Sequence, residues 1–167
     1  MGVREVLADI ANQERMLAFE RFDEDSAWAL GSLIRGWGCD SNWPIVVDIR
    51  VAGRQLFFAA LAGSTPDNAE WVRRKRNVVE RFHRSSYAIG LEMKAKGSTL
   101  EARYGLPLID FADHGGAFPL KLDGSGIIGS IVISGLPQRD DHMLAVRGLC
   151  AVQGKDAEAF PLRDIDD

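Results

Sequence analysis

Histidine, cysteine and tyrosine are scarce in this chain, at three, two and two among 167 residues. Cys39 and Cys150 form no CxxC or CxxCH spacing, which points away from a thiolate zinc site and from covalent haem attachment. No apolar run approaches the ~20 residues that span a bilayer. Nothing in residues 1–20 has the form of a signal peptide, because charged side chains interleave with apolar ones throughout. A strong excess of either charge is missing too. Twenty-four acids against 20 bases leave a net charge of −4, which argues against a general nucleic-acid or other polyanion binder. These absences lead us to expect a soluble cytoplasmic protein with reduced thiols and no membrane or nucleic-acid partner.

What is present is a 46% hydrophobic, 26% charged chain of ordinary globular composition, long enough for one domain with a substantial core. Its clearest signal is the stretch from Asp67 to Tyr87. Pro66 suits a first helical position, and Thr65 or Asp67 can cap, with Glu70 three residues after Asp67. At ~100° per residue, Trp71, Val72, Val78, Val79 and Phe82 share one arc, so the spacing predicts a long amphipathic helix with Arg73, Asn77, Glu80, Arg81 and Arg84 opposite. Lys75 falls inside the apolar arc. Its ammonium must reach water, deprotonate or meet a carboxylate, and mid-strand Asp48 is the best-placed partner by pattern. Along the edge of the arc Arg76, Glu80, His83 and Tyr87 form a polar file suited to a ligand or a subunit contact.

Elsewhere the periodicity predicts helices over 3–19, from 23 or 25 to 37, over 87–96 after a Ser85 cap, and over 138–152. A short helix capped at Ser98 and a single turn over 107–113 complete the set. Gly36 and Gly38 read as breaks. Strands are expected at 45–51 and 54–61 about an Ala52-Gly53 turn, and at 117–122 and 126–134 about Asp123-Gly124-Ser125. Residues 154–167 read as an acidic, loosely held tail beyond a single domain spanning 1–153.

The wording of several blocks is specific. FDEDSAWALG at 22–31, VVDIRVAG at 46–53, GSTPDNAEWVRRKRNVVERFHRSSYAIG at 63–90, RYGLP at 103–107, HGGAFP at 114–119 and GSIVISGLPQRDDH at 129–142 resemble an uncharacterised family of the GlcG/HbpS-like superfamily. Members of that superfamily are described as haem-binding or haem-degrading domains. The resemblance covers residues 1 to about 153. It implies an α+β fold with a central antiparallel sheet of four to five strands, helices packed on it, and a homo-oligomer. An oligomer also agrees with four tryptophans and a half-apolar, Arg-rich helix.

Three functions follow from these residues. Haem needs an axial ligand and cations near its propionates. His83, with Arg76, Arg81 and Arg84 on its helix, and His114, beside Gly115 and Gly116 that would admit a flat macrocycle, are the candidate ligands, with Tyr87 as another donor. His142, behind two aspartates, is the poorest candidate. A small anionic metabolite would instead use Arg84, Ser85 and Ser86 or the helix entry at Gly135 to Gln138. A scaffold that binds another protein would use the Arg-rich helix face beside Trp71 and Tyr87. No nucleophile–base arrangement accompanies any of them, so the sequence leaves open whether the protein is an enzyme.

Overall fold

A computed structural model describes residues 2–165. Its helices are α1 (Val3–Met16), α2 (Glu24–Asp40), α3 (Pro66–Phe82), α4 (Ser86–Ala95), α5 (Leu100–Tyr104) and α6 (Gln138–Val152), and its strands are β1 (Val46–Val51), β2 (Arg54–Ala60), β3 (Ala117–Leu122) and β4 (Gly126–Ser134). The two expected hairpins join through β1 and β4 into one antiparallel four-stranded sheet, in the order β2-β1-β4-β3.

Alternation along β1 decides what lies on each face of the sheet. Ile45, Val47 and Ile49 pack with Leu30 and Ile34 of α2 and with Leu149 of α6. Val46 faces the other way, with Val72 and Val79 of α3 and with Val132. Helices thus cover both faces. α1 and α4 meet beside this stack through Val6, Ile10, Ala88 and Leu91.

Local signals differ from expectation where packing intervenes. α2 runs through Gly36 and Gly38 to Asp40 rather than stopping at 37. Gly38 is there for space, since a Cβ would lie 2.6 Å from Leu61 Cδ2 and 3.0 Å from Ile45 Cδ1. α3 starts at Pro66 as expected, but its box pairs Thr65 with Asn68, whose Oδ1 accepts from the Thr65 N–H at 2.9 Å. Glu70 instead meets Arg73 at 3.0 Å. Thr99, not Ser98, caps α5, accepting from the Ala102 N–H at 3.1 Å. Among the described residues no helix is long and apolar enough to cross a membrane.

The tail is corrected as well, apart from Asp166 and Asp167, which lie outside the described residues. Phe160 and Leu162 are buried, Gln13 donates to Phe160 O at 3.1 Å, and Arg163 holds Asp9 on α1. Two apolar side chains within an acidic segment suffice to dock it, because α1 leaves them a seat beside Met143.

The same seat explains His142. It is fully buried between the Tyr87 and Phe118 rings, with Nε2 2.8 Å from Gln13 Oε1. Gln13 spends its amide on Phe160 O, so His142 is the donor, its proton sits on Nε2, and Nδ1 is left without a partner. Burial, helped by Arg139, holds the imidazole neutral, its pKa lowered to about 3. An unfolded chain protonates this ring near pH 6.5, so the stability tied to His142 is full above that pH and is lost as pH falls toward 3. Between pH 7 and pH 5 the wild type should lose about 2 kcal/mol more than a His142→Phe variant, measured by urea unfolding. Equal losses in both proteins would refute the buried neutral imidazole.

Candidate functional site

Lys75 does pair, but not with Asp48. Its Nζ lies 3.1 Å from Asp141 Oδ2 and 3.1 Å from the Ile133 carbonyl, with only 3% of the residue exposed. Asp141 sits in the first turn of α6 and also accepts from the backbone N–H groups of Gly135, at 3.3 Å, and Leu136, at 3.0 Å. Burial pushes the ammonium down from its usual range and the carboxyl up, each opposed by its partner's charge. The pair therefore shares its proton more evenly than two solvated groups would.

This pair forms the floor of a crevice of about 370 Å³ between α3, the end of β4 and the start of α6. Trp71 and His114 stand on its wall with ring centroids 5.2 Å apart, edge to face. Asn68, Ser134 and Gln138 supply polar groups. Burial lowers the His114 pKa against the pull of Asp113, which favours a neutral imidazole.

Asp48 belongs to a different cluster on the α3 face of the sheet. Its Oδ2 meets Arg76 Nη1 at 3.2 Å, Gln55 Nε2 at 3.4 Å and Arg50 Nε at 3.5 Å, while Oδ1 has no partner. Arg50 Nε is buried and likewise makes no hydrogen bond. Past these cations opens a second groove, of about 360 Å³, lined by Arg50, Gly53, Val79, Glu80, His83 and Ile128. Glu80 approaches Arg76 at 3.9 Å, in keeping with the expected file. The file ends at His83, where α3 stops and the backbone turns left-handed at φ 54. Tyr87 consequently falls on α4, buried among Val6, Ile10 and Leu162, away from this groove.

The remaining candidates are occupied internally. Arg84 pairs with Glu92, the Ser85 N–H donates to Glu14 at 2.7 Å, the Ser85 hydroxyl caps α4, and Ser86 Oγ accepts from the Ala117 N–H at 3.1 Å. Gly115 and Gly116 admit backbone and not a macrocycle: a Cβ would lie 2.1 Å from Gln138 O and 2.2 Å from Ile133 O respectively. The structure thus brings Arg76, Glu80 and His83 together and sets His114 apart in the crevice. Asp141 and Arg50 do not stand out as site residues in the sequence. Asp141 was hidden because a carboxylate in a first helical turn ordinarily serves the helix dipole. Among the described residues no group of three or more histidine, cysteine or acidic side chains could hold a metal ion.

A four-stranded antiparallel sheet between helices is also the fold of the solved HbpS structure. The chain belongs to the family described as "Haem degrading protein HbpS-like", over residues 22–150. It is 54% identical to a UPF0303 protein of Acidobacterium capsulatum across 97% of this chain and 98% of that one. It is 52% identical to a UPF0303 protein of Burkholderia ambifaria with the same coverage. Among solved structures it resembles the Ybr137w protein, at TM-score 0.82 and 29% identity, covering 89% of this chain and 87% of that one. It shares a fold with a PduOC:haem complex, at TM-score 0.63 and 19% identity, covering 81% and 94%.

Breaking the buried pair should be costly. Lys75→Met strands the Asp141 carboxylate and should lose ~3–5 kcal/mol of unfolding free energy. Adding Asp141→Leu should recover only part of that loss, because the Gly135 and Leu136 N–H groups then lose their acceptor. Asp48→Leu should instead be additive with Lys75→Met within ~0.5 kcal/mol, since the two residues share no partner. Strong coupling of Lys75 to Asp48 in urea unfolding would contradict this geometry.

Proposed function

We propose that this protein is a ligand-binding domain that takes haem in the groove beside His83. The observation that carries the reading is an exposed imidazole at the end of α3, lining a groove walled by Val79, Ile127 and Ile128 and bordered by Arg50, whose buried Nε makes no hydrogen bond. Haem asks for an axial donor, apolar walls and cations for its propionates, and these residues fit it. His83 would hold the iron, and Arg50 would meet a propionate. Arg76 lies behind the groove, paired with Asp48. Bound haem would supply redox-active iron. The chain's own contribution is to bind it and to shield one face from water. Family membership and the fold shared with a PduOC:haem complex support the same reading.

The crevice at His114 fits haem less well, because Thr65, Asp67, Asn68, Ser134 and Gln138 make its lining polar. The Arg84-Ser85-Ser86 site for an anion loses its support, since those donors have partners within the chain. The scaffold reading keeps one support: Trp28, Phe58, Leu108 and Ile109 are exposed large apolar side chains. We retain the homo-oligomer as part of the proposal, and a light-scattering mass of 18.4 kDa at micromolar concentration would remove it. The two free cysteines, Cys39 and Cys150, support a cytoplasmic setting.

Titrating haem into the protein should produce a Soret shift that His83→Ala abolishes and His114→Ala leaves intact. Arg50→Gln should weaken binding about tenfold, the loss of one charge-assisted contact. A shift that persists in His83→Ala would overturn the assignment.

A further inference from the structure

The crevice over Lys75 shares no lining residue with the His83 groove, and haem binding gives it no role. We propose that it is a second site, in which Lys75 captures a small uncharged aldehyde as a Schiff base.

Three features of the crevice carry this inference. An ammonium has three donors, and the contacts of Lys75 use two, on Ile133 O and Asp141 Oδ2. Lys75 is one of the residues that line the crevice, and Gly116, where a Cβ would lie 2.8 Å from Nζ, leaves the remaining direction free of a side chain. Asp141, 3.1 Å away, is placed to take a proton from Nζ and return it, and its position is fixed by the Gly135 and Leu136 N–H groups. Burial outweighs the opposing charge of Asp141 and raises the share of neutral amine, the nucleophilic form, above that of a solvated lysine.

The lining also selects the ligand. Asp67 and Asp141 place two carboxylates against one amine, which disfavours an anionic carbonyl compound. Trp71 and His114 offer flat faces, and Asn68, Ser134 and Gln138 offer partners for hydroxyl groups. Gln138 Oε1 accepts from the Gly115 N–H at 3.2 Å, which orients its amide. A short hydroxyaldehyde matches this set.

The chemistry balances without an oxidant or reductant. Asp141 accepts a proton from the ammonium, and the freed Nζ lone pair bonds to the aldehyde carbon. The carbonyl π pair moves to oxygen, which takes the proton back from Asp141. The carbinolamine then loses its hydroxyl as water, with nitrogen giving up its second proton. The ammonium and the aldehyde become a protonated imine and water, with Asp141 ionised again.

Glycolaldehyde with sodium cyanoborohydride at neutral pH tests this on the full chain. The reductant converts an imine to a stable secondary amine that peptide mapping by mass spectrometry locates. Lys75 should carry the label severalfold ahead of Lys94, Lys96, Lys121 and Lys155, with a rate that saturates as aldehyde concentration rises. Asp141→Asn should slow that labelling while leaving the other four lysines unchanged. If Lys75 stays unmodified while the other lysines react, the pair is structural only and the proposal fails. Labelling of Lys75 without saturation would equally overturn it. Both outcomes are read in the wild-type protein, so the test stands even if the variant does not fold.

Discussion

The ammonium of Lys75 lies where α3, the last residues of β4 and the first turn of α6 converge, and it is desolvated. A buried charge of this kind is tolerated only when its partners are held in place. Asp141 is fixed by two backbone N–H groups, the Ile133 carbonyl belongs to the sheet, and α3 is packed through Val72 and Val79. The chain bends to fit the cation. Gly116 adopts φ 134, and a Cβ there would lie 2.8 Å from Nζ and 2.2 Å from Ile133 O. Gly116 leaves room for the ion pair, whereas Gly115 leaves room for the Gln138 carbonyl.

Adjacent positions on α3 divide the electrostatics of the sheet. Lys75 and Arg76 differ by ~100° around the helix axis, enough for one to reach the end of β4 and the other to descend on β1. Arg76 meets Asp48 there beside Arg50, and burial pushes the Asp48 carboxyl above its usual range against the pull of both guanidiniums. Arg50 lines the groove that ends at His83, where Glu80, 3.9 Å from Arg76, adds a second carboxylate to the two cations. A structural requirement, neutralising Asp48 within the sheet, thereby also sets Arg50 on the groove lining.

The three histidines illustrate how context assigns chemistry to one residue type. His142 is locked by Gln13 and enclosed by Tyr87 and Phe118, so it contributes to packing and to acid sensitivity. His114 is partly desolvated against Trp71 and marks the crevice. His83 stands at a left-handed helix end with its ring beside an open groove. Fold membership is secure from the whole length of the chain, whereas the ligand depends on these few local environments.

By itself the sequence determined the element order, both hairpins and the amphipathic α3, because periodicity and turn residues are written within a dozen neighbouring positions, and the wording of its blocks carried the resemblance to the family. It also placed Lys75 within the apolar arc of α3, with its ammonium left to reach water, deprotonate or meet a carboxylate. Which carboxylate answered was decided only by the tertiary structure. Asp48 and Asp141 are equally acidic in sequence, and the choice between them rests on which end of the sheet α3 places each cation over. The same holds for the spent donors of Arg84, Ser85 and Ser86 and for the docked tail. Glu92 follows Arg84 by only eight residues, but Glu14, Ala117 and α1 are brought in by long-range packing, which leaves no local trace in the residues that depend on it.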